Sequence, residues 1–152
     1  MLQAGSTMTL EAWDWKYKNN LDWNHAWGAA PANIIPRWLL GVRPLEPGFT
    51  KAVIQPQLGS LQRASGVVPT RWGGIGVTVT NGEGEPFSLT IDLPEGVTAR
   101  AGVPQPGPGA TTVQLDGKRV DAESEGGYLY VDDMTAGTHC ITIGHGPGEG
   151  AQ

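Results

Sequence analysis

The chain has 152 residues, 10 basic and 15 acidic side chains, a formal net charge of −5 and a pI near 5.0. An acidic balance without a Lys/Arg cluster excludes the electrostatic footprint of a phosphate-backbone binder, so no nucleic-acid partner is expected. The single cysteine, Cys140, excludes an internal disulfide framework and a cysteine-based zinc site.

Taken in chain order, residues 1–8 carry neither the basic start nor the apolar run of a signal peptide, which leaves localisation unassigned. No apolar run reaches the roughly 18 residues of a membrane helix, so no membrane partner is expected. Residues 9–28 hold the densest chemistry. Trp13, Trp15, Trp23 and Trp27 stand among Glu11, Asp14, Asp22, Asn24 and His25. Indole faces beside carboxylates and amides suit a sugar ring, with its apolar C–H faces and rim of hydroxyls; the same indoles also suit a core. A short helix is expected around residues 10–17. A second is expected over residues 29–41, where Ile34, Ile35, Trp38 and Leu39 recur at helical spacing. Pro31 suits its first turn, Pro36 should kink or restart it, and Gly41 followed by Pro44 should end it.

The period changes to two beyond Gly48. Strands are expected at residues 51–55, 75–80, 87–93, 97–103, 112–115, 118–120, 128–131 and 139–143, with turn signals at Asn81-Gly82, Pro94 to Gly96 and Asp116-Gly117. Glycine (23 residues) and proline (12 residues) punctuate these segments, as short strands joined by turns require. The fold class is therefore mainly β: an antiparallel β-sandwich of about eight strands, preceded by a short helical, Trp-rich N-terminal arm. The expected organisation is a helical segment over residues 1–48, a sandwich over 49–145 and a flexible tail over 146–152.

No Gly-x-Ser-x-Gly elbow, P-loop or dinucleotide fingerprint is present, His139 and His145 lack metal-ligand spacing, and no cofactor or metal is implied. Several elements resemble, in order, the C-terminal region of bacterial α-L-rhamnosidases, glycoside hydrolase family 78. These are Thr9-Leu10-Glu11-Ala12-Trp13, Asn24-His25, Gly41 to Pro44 with Pro47 to Phe49, and Ile54 to Pro56. In the strand half they are Gly66 to Thr70, Leu93 to Gly96, Val113 to Val120 and Ala136 to His139. The resemblance covers roughly residues 9–143. It implies the last helices of an (α/α)6 catalytic barrel followed by a terminal β-sandwich, and the inverting hydrolysis of terminal α-L-rhamnosides. It also implies that Glu11 is the general base on the attacking water and that His25 lies by the active site. The family's general acid lies upstream, without a counterpart in this sequence.

Inverting hydrolysis needs two carboxyl groups about 6.5–9.5 Å apart, one to protonate the leaving oxygen and one to deprotonate water. Glu11 supplies one; Trp13, Trp15, Asp22, Trp23, Asn24 and Trp27 are the candidate substrate-binding residues for a rhamnoside-type carbohydrate. Read without the resemblance, a Glu near a helix start is also a first-turn residue favoured by the helix dipole. Two other functions stay open: a non-catalytic carbohydrate-binding or structural sandwich, and a stand-alone hydrolase reusing the Glu/Asp/His cluster. Barrel helices would bring apolar surface that needs cover, so the Trp-rich arm is expected either to fold onto the sandwich or to join chains into a homo-oligomer.

Overall fold

The computed structural model describes residues 10–12, 15–17, 19–20, 25–82, 86–106 and 111–145, with the backbone alone at Trp15, Trp27, Thr111 and His145. The chain divides into two compact units, Met1–Ile35 and Pro36–Gln152.

In the first unit the described residues form a 3-10 turn at Trp15–Tyr17, another at Ala26–Ala29 and one short helix, α1, at Ala30–Ile34. Pro31 sits in the first turn of α1, where its missing N–H costs no hydrogen bond. The expected break at Pro36 takes the form of a widened π-type turn over Ile35–Leu39. Pro36 has no N–H for the ordinary i→i−4 bond, and a one-turn π-bulge accommodates the gap. Gly41 ends the segment at φ +76, and a Cβ there would lie 2.1 Å from the Gln55 carbonyl carbon. Only glycine fits this position, which also accepts a hydrogen bond from the Gln55 N–H at 3.0 Å.

The second unit is a two-sheet sandwich of eleven strands among the described residues. These are β1 (Val42–Pro44), β2 (Lys51–Ile54), β3 (Arg63–Thr70), β4 (Gly73–Thr80), β5 (Ser88–Leu93) and β6 (Thr98–Pro104), followed by β7 (Thr111–Leu115), β8 (Lys118–Val120), β9 (Glu123–Glu125), β10 (Tyr128–Met134) and β11 (Gly137–His145). The first sheet runs β1-β2-β6-β10-β9 and the second β3-β4-β5-β11-β7-β8. Every pairing is antiparallel except β2 with β6.

All eight expected strands are present, with ends moved by a few residues. The three unexpected ones are β1, β3 and β9, and each lacks the alternation that reveals a strand. β1 and β9 have three residues each. β3 is an edge strand carrying Gly66 and Pro69, and Pro is tolerated at an edge because one row of N–H groups has no ladder partner there. β9 and β10 are joined through Gly126 and Gly127, both at positive φ (57 and 82), as a type I′ hairpin turn requires.

Alternation builds the core. Ile75, Val77 and Val79 of β4 face Leu89, Ile91 and Leu93 of β5 and Ile141 and Ile143 of β11 inward, against Ala52, Ile54, Ala99, Ala101, Val103, Leu129 and Val131 from the first sheet. Ile54, Ile75, Leu89, Ile91 and Ile141 are 0% exposed, each burial contributing about 1.5–3 kcal/mol. No polar or charged residue is buried among the described residues. Trp72, at the β3–β4 turn, staples one end of the sandwich: its indole N–H donates to the Gly48 carbonyl at 2.9 Å and the Arg71 guanidinium lies 5.1 Å from its ring centre.

Candidate functional site

Of the residues expected to carry chemistry, Glu11 and His25 are described. Both are half-buried and each is engaged in an interaction. His25 caps the start of the Ala26–Ala29 turn in extended conformation (φ −98, ψ 116), and its carbonyl accepts from the Gly28 N–H at 3.0 Å. Trp13, Asp22, Trp23 and Asn24 lie outside the described residues, and Trp15 and Trp27 are described by backbone alone. No group of three or more potential metal-ligating side chains occurs among the described residues.

The sandwich contributes three further arrangements. On the outer face of the first sheet, the β10 side chain of Tyr130 lies beneath the β6 guanidinium of Arg100, whose Cζ is 4.1 Å from the ring centre. Arg100 Nη2 donates to Glu123 Oε2 at 2.8 Å and to Glu125 Oε2 at 3.0 Å, and Nε lies 3.4 Å from Asp132 Oδ1 without a hydrogen bond. Three carboxylates on one cation leave this patch acidic. At the opposite edge of the same sheet, on β1, Arg43 stacks 4.6 Å from the Trp38 ring centre, donates from Nη1 to the Arg37 carbonyl at 3.1 Å and from Nη2 to Gln55 Oε1 at 2.6 Å. The two guanidiniums rigidify the aromatic side chains they cover, and each has at least two partners, so neither is idle in wait for an anion.

The outer face of the second sheet differs. There a groove of about 400 Å³ is lined by Ser65, Val67, Thr78, Thr90, Asp92 and Thr138 together with Gly66, Gly76 and Val77. Gly76 deepens it, since a Cβ there would lie 3.0 Å from that of Asp92. Asp92 Oδ1 accepts from the Thr138 hydroxyl at 2.7 Å. Hydroxyls and one carboxylate on a flat sheet can hydrogen-bond a polyol, and Val67, 69% exposed, offers an apolar wall.

The third arrangement lies at one end of the second sheet. Asp116, in the β7–β8 turn, sits 3.0 Å (Oδ2) from His139 Nδ1, and its Oδ1 accepts from the Cys140 N–H at 2.7 Å. His139 Nε2 faces the Thr135 carbonyl at 2.9 Å. The Cys140 amide and then His139 hold the Asp116 carboxyl below the usual carboxylate range, and the bond to Asp116 raises His139 above the usual imidazole value. Residue spacing does not reveal this pair: 23 positions separate its members, and only the pairing of β7 with β11 brings them together. Cys140 itself is half-buried, with Sγ 3.7 Å from Ser88 Oγ.

Comparison with known proteins places these features in context. A family described as the bacterial alpha-L-rhamnosidase C-terminal domain matches residues 41–118. An alpha-L-rhamnosidase of Alteromonas sp. (strain LOR) is 35% identical over 113 residues, covering 64% of this chain and 11% of the relative. The solved alpha-L-rhamnosidase of Dictyoglumus thermophilum shares the fold at a TM-score of 0.78 and 22% identity, over 94% of this chain and 17% of its own. That of Streptomyces avermitilis, solved with L-rhamnose, gives 0.76 at 22% identity, over 94% of this chain and 14% of its own. The chain thus spans less than a fifth of the length of these relatives.

Proposed function

The chain belongs to the bacterial alpha-L-rhamnosidase C-terminal domain family, and we propose that it forms the end of an α-L-rhamnosidase-like glycoside hydrolase that removes terminal rhamnose with inversion. In this reading the residues before Gly41 close a helical catalytic barrel, and the sandwich that begins with β1 at Val42 is its terminal domain. Glu11 takes the proton of the attacking water, and His25 and Asn24 flank the sugar. Asp22 accepts from its hydroxyls, and Trp13, Trp15, Trp23 and Trp27 supply C–H-stacking faces. The partner acid comes from outside these 152 residues, and separate chains associate through the Trp-rich arm. The observation that supports the reading most is the family match over residues 41–118, together with a likeness to the Alteromonas enzyme that spans only 11% of that relative's length.

Alkyl α-L-rhamnosides test the division of labour, because an alkoxide leaves only when an acid protonates it. The isolated chain is expected to give no turnover of such a substrate. Turnover abolished by Glu11→Gln would instead place an acid within this chain, with Asp14 and Asp22 the carboxylates nearest in sequence.

The hydroxyl-lined groove of the second sheet favours one further reading, in which the sandwich also holds carbohydrate without cleaving it. Titration with L-rhamnose followed by amide NMR should move Thr78, Thr90 and Thr138, and Asp92→Ala should suppress the shifts. Unmoved spectra would remove this role.

A further inference from the structure

His139 has a proton acceptor against each ring nitrogen. Nδ1 faces the Asp116 carboxylate at 3.0 Å and Nε2 faces the Thr135 carbonyl at 2.9 Å. A backbone carbonyl has no proton to give. The Asp116 carboxyl also accepts from the Cys140 N–H, which favours its ionised form. A neutral imidazole carries one N–H and can satisfy only one of the two; the other contact would set lone pair against lone pair. Both bonds exist together only in the imidazolium, which donates from both nitrogens.

The position of this ring gives the protonation a consequence. Thr135 lies in the connection that leaves β10 of the first sheet for β11 of the second. Asp116 lies in the turn of the β7–β8 hairpin, and β8 is an edge strand of the second sheet. The Asp116 N–H also donates to the Cys140 carbonyl at 2.8 Å, so the turn is docked on the start of β11 from two directions. We infer that protonated His139 is an acid-favoured latch, tying the β7–β8 hairpin to the crossover between the two sheets, and that loss of its proton loosens the hairpin while β7 stays laddered to β11 and the rest of the sandwich stays closed.

Among the described residues, the charged groups acting on the pair are few. Asp116 acts on His139, and Lys118 of β8 acts on Asp116. β5 sets Ile91 opposite His139, and the neighbouring Asp92 is bonded to Thr138. β7 carries no charged side chain, and Asp133 of β10 is paired with Lys51 at 3.4 Å. His139 titrates above the free value of about 6.5, so its contribution is complete below that pH and disappears as the pH rises through the folded midpoint. Asp116 titrates below the usual carboxylate value of 3.8, so its contribution is present above 3.8 and disappears as the pH falls through the lowered midpoint. The latch is strongest between the two.

Nitrogen NMR of the imidazole, with amide hydrogen exchange on the intact chain, tests the inference. Below its midpoint His139 should show both nitrogens protonated, the midpoint should lie above about 6.5, and Asp116→Asn should lower it. Protection of the β7–β8 amides, taken as a ratio to the β4–β5 amides, should fall by up to about tenfold per pH unit between the free and folded midpoints and then level off. His139→Gln should flatten that dependence. A ratio independent of pH in the unaltered chain would overturn the latch. So would a singly protonated ring at pH values below the free midpoint, or a midpoint unmoved by Asp116→Asn. The readings on the unaltered chain and Asp116→Asn decide the matter even if His139→Gln fails to fold.

Discussion

The helical stretch of residues 30–39 and the two sheets that follow it treat their apolar side chains in opposite ways. Ile34, Ile35 and Trp38 recur at helical spacing, yet they remain 51%, 46% and 44% exposed, and neither helical element buries a residue. In the sheets Ile54, Ile75, Leu89, Ile91 and Ile141 are 0% exposed. Right after this stretch Leu40, 5% exposed, packs into the sandwich core just before the Gly41 stop. An amphipathic pattern therefore states what a segment is fit to bury, and only tertiary structure supplies the surface that buries it. The sandwich closes its own core and carries the stability. The chemistry proposed for the chain lies among the residues before that point.

The largest break in this contrast should come from Ile91→Ala, which empties a fully buried site. Chemical denaturation should register a loss of about 2–5 kcal/mol, and a loss under about 1 kcal/mol would deny the sandwich its role. Gly41→Ala should cost about 1–3 kcal/mol, because its Cβ would collide with the Gln55 backbone. An unchanged midpoint there would mean that the junction into β1 is pliable. Arg100→Ala should cost about 1 kcal/mol, since its ion pairs are partly solvated and the Tyr130 stack is its firmest contact. Smallest of all, Ile34→Ser should shift stability by no more than about 0.5 kcal/mol while weakening self-association seen by sedimentation. A loss for Ile34→Ser equal to that for Ile91→Ala would erase the distinction between the two regions.

How much of this is legible in the sequence depends on the element. Residues 75–80 and 87–93 alternate because one face is core and the other is Thr, Ser and Asp, so β4 and β5 are read directly. Asp116-Gly117 marks the β7–β8 turn, and both residues take positive φ. β3 escapes because Val67 faces outward at 69% exposure and Gly66 and Pro69 break the pattern; its identity comes from eight residues of register with β4. β9 is Glu-Ser-Glu, wholly exposed, and exists through its pairing with Tyr128 to Tyr130. The helical expectation over residues 29–41 is met in part, by α1 and the widened turn at Pro36. For the candidate site, the residue types of the Trp-rich run suggest carbohydrate, but roles for Glu11 and His25 come only from resemblance. The Asp116–His139 contact and the Arg100 cluster depend on strand order, which no local pattern encodes.

The central claim is that Glu11 is the base of a rhamnoside-hydrolysing site completed by the rest of a longer enzyme. A chimaera supplies that remainder: this chain replaces the matching C-terminal region of the Dictyoglumus thermophilum enzyme, and kcat for an alkyl α-L-rhamnoside is measured with and without Glu11→Gln. The chimaera is expected to be active, with a kcat that falls by about 10²–10⁴ on Glu11→Gln and a KM little changed. Equal rates for the two chimaeras would contradict the claim.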